Sequence, residues 1–158
     1  MLRISKLTDY ATVILGSLAT APETQRTAAE IAAATHVAAP TVSKLLKQLQ
    51  RAQLVTSVRG LKGGYRLARS AEAITAAQIL DALEGPLALT ACATEGHRCD
   101  LQGTCRVGGA WQRVSLAIRQ SLEQITLAEL AGLGAVAVRF EAFDARLRAG
   151  LSPGTPRT

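Results

Sequence analysis

Apolar side chains recur three or four positions apart through the first 85 residues, the spacing that puts them on one face of a helix. Leu7, Tyr10, Ala11, Ile14, Leu15 and Leu18 predict a first helix from Leu7 to Ala19, with Ser5 or Thr8 to cap it and Pro22 beyond its end. Thr27-Ala28-Ala29-Glu30 has the capping-box pattern ahead of Ile31 and Ala34, so a short second helix should run to about Thr35-His36. Pro40 suits the first turn of a third helix, whose apolar stripe is Val42, Leu45, Leu46 and Leu49. The pattern then changes. Leu54 to Val58 reads as a short strand, Arg59 to Gly64 as a basic, glycine-rich turn, and Tyr65-Arg66-Leu67 as the return strand of a hairpin. Thr75 can cap a fourth helix through Ile79, Leu80 and Leu83, stopped by Gly85-Pro86. Ala91 to Gly109 shows neither period. Helical spacing returns at Trp111 with Val114, Ile118, Leu122 and Ile125, followed by a further turn at Leu127 to Leu130. From Gly132 the pattern is weak, and Pro153 to Thr158 is expected to be disordered.

Composition narrows the class. Apolar residues make up 48% of the chain and aromatic residues only 3%, which suits helices packed by aliphatic side chains. A net charge of +6 and a pI near 9.8 point to a polyanionic partner, usually DNA or RNA, and the order of elements along the chain favours double-stranded DNA. No run approaches the roughly 20 apolar residues of a membrane span. Met1 to Lys6 lacks a signal-peptide core, so the expectation is a cytoplasmic protein with no membrane partner. No nucleophile–base pair or phosphate-binding loop is evident, so neither an enzyme nor a small-molecule substrate is expected.

Helix, short helix, third helix and hairpin follow in the order of a winged helix-turn-helix. The fold class is therefore mainly α with a small β-hairpin. The third helix has an apolar side and, at the same spacing, a side bearing Lys44, Lys47, Gln48 and Arg51. Docked by its stripe, it would turn these toward a major groove. Lys44, Lys47 and Arg51 suit phosphates, and Thr41, Ser43 and Gln48 suit base edges. In the wing, Arg59 and Lys62 can reach the minor groove or the backbone, with Tyr65 beside them. A solvated cationic helix would give the same face, but not the basic wing after it.

All three cysteines, Cys92, Cys99 and Cys105, fall within 14 positions of one another. An odd count in a cytoplasmic chain does not suit a disulfide framework. Thiolates bind soft metals, and a loop allows three sulfurs to converge. The spacing is not that of a structural zinc knuckle, and a fourth thiol is lacking. His97, Glu95 and Asp100 are possible non-sulfur ligands. Structural zinc with His97 and a thiol redox switch, helped by Arg98 and Arg106, remain open readings.

Several segments together carry a family resemblance: Leu2 to Ala11, Leu54 to Gly60, the Gly63-Gly64-Tyr65 wing, the three-cysteine loop and Ile125 to Leu130. In these the chain resembles the small bacterial winged-helix regulators that include IscR and NsrR, and most of all the regulators of SUF-system iron–sulfur assembly. The resemblance implies a homodimer joined through the long helix after the cysteine loop. It also implies a [2Fe–2S] or [4Fe–4S] cluster on Cys92, Cys99 and Cys105 that tunes DNA affinity. The fourth ligand of IscR-like members, a histidine three residues past the last cysteine, corresponds to Gly108 and is absent. Asp9 matches the aspartate that NsrR-like members supply from the other subunit; a first-turn acid favoured by the helix dipole accounts for it equally well, and His97 is the alternative. Ser43 stands where IscR-like proteins carry a promoter-discriminating glutamate. The implied function is repression of SUF assembly genes, with a nitric-oxide-sensing repressor or a cluster-free thiol switch as alternatives. The expected organisation is a DNA-binding domain over 1–85, a cluster loop over 86–110, a dimerisation helix over 111–131 and a tail over 132–158.

Overall fold

In a computed structural model, residues 4–60, 63–87, 89 and 107–134 are described. Their order is α1 (Lys6–Ala19), α2 (Ala28–Thr35), α3 (Ala39–Arg51), β1 (Val55–Val58), β2 (Gly64–Leu67), a 3₁₀ turn (Ala71–Ala73), α4 (Ala76–Glu84), α5 (Gly108–Glu123) and α6 (Leu127–Leu130). This is the expected mainly helical fold with a two-stranded antiparallel hairpin. Among the described residues no helix is long and apolar enough to cross a membrane.

Local chemistry sets most helix ends. The Ser5 hydroxyl accepts the Thr8 N–H at the start of α1. Three reciprocal capping boxes follow: Thr27 with Glu30 at α2, Thr75 with Gln78 at α4, and Thr126 with Glu129 at α6. Each satisfies two amide groups that the first helical turn leaves without partners. His36 ends α2 in the left-handed region at φ 56° and turns the chain into α3, where Pro40 sits in the first turn. Gly85, at φ 84°, stops α4 in a conformation costly for other residues.

The stripes read from the sequence form one core. Ile14, Leu15 and Leu18 of α1 meet Ile31 of α2, and Val42, Leu45, Leu46 and Leu49 of α3 are all fully buried against them. Each such side chain contributes about 1.5–3 kcal/mol of transfer free energy. In the hairpin, Val55 pairs with Leu67 at the base and both are buried, while Ser57 pairs with Tyr65 nearer the tip. Arg26 adds a third edge: its N–H donates to the Tyr65 carbonyl at 3.0 Å, and the Tyr65 N–H donates back at 2.8 Å. A Cβ on Gly64 would lie 2.8 Å from the Arg26 carbonyl oxygen, so this close approach needs glycine.

The C-terminal helices differ in detail from the sequence reading. The helix expected from Trp111 begins at Gly108 and ends at Glu123. Thr126 then takes an extended conformation and restarts the chain as a separate turn, because its side chain caps α6. The Ile125 carbonyl accepts from the Ala76 N–H, and the Leu127 N–H donates to Ile74, each at 2.8 Å. Leu127 and Ala128 are buried in the winged-helix core, where α6 packs against α1. Further N-terminal, α5 packs against α4 and buries only Ser115 and Ala117, while Trp111 and Leu116 stay 47% and 57% exposed.

Candidate nucleic-acid interface and cysteine segment

The outer face of α3 is cationic. Lys44, Lys47, Gln50 and Arg51 are exposed, whereas Thr41, Ser43 and Gln48 are half-buried. Gln48 lies at the flank of the apolar stripe, with its Oε1 buried and lacking a hydrogen-bond partner among the described residues. The reason is rotational: at about 100° per residue, each four-residue step from Lys44 to Gln48 carries the side chain about 40° around the helix toward the buried side. Gln50 takes its place in the open, three residues after Lys47 and seven after Ser43. That spacing would have located it in the sequence.

Between α3 and the wing lies a groove of about 380 Å³. Lys47 and Gln50 of α3, Ser57, Arg59 and Tyr65 of the hairpin, and Thr27 at the start of α2 line it. The Gln50 Nε2 donates across it to the Ser57 Oγ at 2.8 Å. Arg66 is exposed on the opposite face of the hairpin, paired with Thr56. Arg69 is held by the Gln78 side chain at 3.1 Å. Lys62, expected in the wing, lies outside the described residues.

Cys92, His97, Cys99 and Cys105 also lie outside the described residues. Among the described residues no three His, Cys, Asp or Glu side chains gather as metal ligands would. Both flanks of the cysteine segment are attached to the N-terminal half of α5. The Leu89 N–H donates to the Ser115 Oγ at 3.3 Å, and Ser115 in turn donates to the Trp111 carbonyl at 3.0 Å. On the other side, the Val107 carbonyl accepts from Trp111 at 3.2 Å as α5 begins. At about 1.5 Å per residue, Val107 and Ser115 are about 12 Å apart along the helix.

Asp9 is exposed in the first turn of α1. Beside it, the Thr8 hydroxyl donates to the Glu84 carboxylate, and the Ser5 N–H donates to the same oxygen at 3.2 Å. Hydrogen bonds from Ser5 and then Thr8 hold the Glu84 carboxyl below the usual carboxylate range. A lowered folded-state value makes this tether complete above the ordinary carboxylate pKa and lost as the pH falls through the lowered one. It joins the start of α1 to the last turn of α4. One turn earlier in α4, Asp81 makes a two-point ion pair with Arg119 of α5, at 2.7 and 3.0 Å. That pair, the Asp81 hydrogen bond first, holds the Arg119 pKa above its ordinary value.

Comparison with known proteins places this arrangement. The Rrf2 sequence profile, described as an iron-dependent transcriptional regulator, matches residues 4–132. The structure of CymR (YrzC), the global cysteine regulator of B. subtilis, is similar with a TM-score of 0.66 and 29% identity, over 85% of this chain and 99% of that one. IscR of T. potens matches with a TM-score of 0.62 and 29% identity, over 89% and 96%. The oxidized form of Staphylococcus aureus CymR matches with a TM-score of 0.59 and 29% identity, over 85% and 100%.

Proposed function

The chain belongs to the Rrf2 family of transcriptional regulators, and on that premise we propose that it is a homodimeric, cytoplasmic DNA-binding regulator that senses an iron–sulfur cluster and represses iron–sulfur assembly genes of the SUF type. The observation that carries the DNA half is the docking of α3: a buried stripe on one side and exposed Lys44, Lys47 and Arg51 on the other. A helix of about 10–12 Å diameter fits a major groove about 12 Å wide. Two such helices in a dimer would reach successive major grooves about 34–36 Å apart. The dimer reading is supported by α5, whose Trp111 and Leu116 are left to solvent while small residues face the protomer's own core. No catalytic step is involved; members of the family are regulators.

The cluster reading is supported by the donor set and by the anchoring of its segment. Three thiols within 14 positions suit a thiolate-held cluster, and the flanks are anchored on α5, Leu89 at Ser115 and Val107 at the helix start about 12 Å away. Cys92, Cys99 and Cys105 would hold the cluster, which supplies a redox- and iron-responsive charge centre when bound. Asp9 of the other subunit is the proposed fourth ligand, with His97 as the alternative. The protein's own residues transmit the state: Ser115, Trp111 and the Asp81–Arg119 pair tie the segment's ends and α5 to α4, so movement at the segment changes how α5 sets the two DNA-reading halves.

Anaerobically purified protein should be coloured and contain iron and acid-labile sulfide, and its operator affinity should change when the cluster is removed. Colourless protein without iron, bound equally well to DNA, would overturn the sensor. In the same preparations Asp9→Ala should reduce cluster retention several-fold; unchanged iron content and cluster stability would remove Asp9. A cluster-free thiol switch is the second reading, favoured by the likeness to CymR and its oxidized form. It predicts colourless protein whose DNA affinity responds to peroxide and is restored by thiol reductant. A nitric-oxide sensor would instead bind a cluster but release DNA on exposure to nitric oxide.

A further inference from the structure

An exposed side-chain contact joins the third helix to the outer part of the wing, and we infer that Gln50 is a positioning residue which, through Ser57, sets where Arg59 meets the DNA backbone. The inference rests on the DNA-binding reading above and deepens it by assigning a role to two residues outside the expected contact set.

The hairpin is supported unequally. Its base is fixed by Val55 and Leu67 in the core, and β2 is tied at Tyr65 to the backbone of Arg26. Strand β1 lies opposite, and at the level of Tyr65 its residue is Ser57. Thr56, Ser57 and Val58 are all exposed. A two-stranded hairpin has little stability of its own in water. Gln50 reaches this strand from the last turn of α3 and donates to Ser57 at 2.8 Å. Arg59 follows two residues later, across the groove from Lys47. Rotation of the hairpin about its base would therefore move Arg59 relative to Lys47. The two cations face one groove that a DNA strand can enter, and a backbone phosphate is the ligand that complements both. In water the Gln50–Ser57 bond competes with solvent and has a small net effect. Under a docked strand the groove is drier and the same bond counts for more.

The test is a double-mutant cycle on the full-length protein, using the duplex that the wild type selects from random DNA. Gln50→Ala, Ser57→Ala and the double variant should each weaken binding by about ten- to a hundredfold, the size expected of two hydrogen bonds, one in each protomer of the dimer. The losses should be equal rather than additive, because either change frees the same strand. The slope of log affinity against log salt should fall by about 0.9 for each phosphate contact that Arg59 loses. Ser57→Thr, which keeps the hydroxyl, should retain the wild-type slope, and melting temperatures should be unchanged throughout. Additive losses, an unchanged salt slope, or a Gln50→Ala variant that selects a different base sequence would overturn the inference and make Gln50 a direct reader of bases. Failure of the wild type to bind any duplex at low salt would instead remove the DNA-binding reading itself.

Discussion

Replacing Lys44, Lys47 and Arg51 together by alanine should abolish tight DNA binding while leaving the fold intact. The three side chains are exposed on α3, and in a dimer they offer six cations to the phosphate backbone. Each phosphate neutralised contributes about 0.9 to the slope of log affinity against log salt, so that slope should fall by about five. At moderate salt the affinity itself should drop by about 10³-fold or more. Stability should change by less than about 0.5 kcal/mol, since none of the three is buried and alanine suits a helix. Fluorescence anisotropy at several potassium chloride concentrations reads both quantities. An unchanged slope would mean that another surface carries the phosphates. Arg66 would then be the first candidate, since it is exposed on the hairpin face turned away from α3.

The elements that could be read from the sequence are those whose cause is local. The α3 stripe recurs at helical spacing, and the four residues read as its buried face are the four that are fully buried. The capping boxes at Thr27 and Thr75 are visible because the cap and its partner lie three residues apart. Gln48 shows where periodicity alone fails. It shares a spacing with Lys44, but the four-residue step rotates it onto the flank, and only docking decides how much of that flank is covered. The tether from Ser5 and Thr8 to Glu84 spans 76 to 79 positions and has no sequence signature. The contact from Gln50 to Ser57 depends on the angle between a helix and a hairpin, which no spacing rule gives. The same holds for α6. Its turn at Leu127 to Leu130 could be read as the end of the preceding helix, but its partners are Ile74 and α1, far back in the chain.

That placement of α6 yields the second large effect. Leu127→Ala should destabilise the winged-helix domain by about 2–5 kcal/mol, because Leu127 is fully buried and its removal leaves a cavity among side chains fixed from several directions. For a chain of this size the midpoint of thermal unfolding should fall by about 5–15 °C. Leu130→Ala, on the same turn but 43% exposed, is the control and should change stability by less than about 0.5 kcal/mol. Urea unfolding read together with sedimentation at matched concentrations separates two roles for this turn, because a dimer's apparent stability varies with protomer concentration. If α6 belongs to the core of its own protomer, Leu127→Ala lowers the unfolding midpoint and leaves dimer association close to wild type, since the exposed face of α5 is untouched. If α6 instead worked as the end of a dimerisation helix, the same change would weaken association and spare the protomer. The backbone bonds from Ile125 and Leu127 to Ala76 and Ile74 favour the first outcome. They fasten the far end of α5 to the start of α4, and the Asp81–Arg119 pair adds a second hold one turn before that end, so the C-terminal half of the helix that would join two protomers is gripped by the domain that reads DNA.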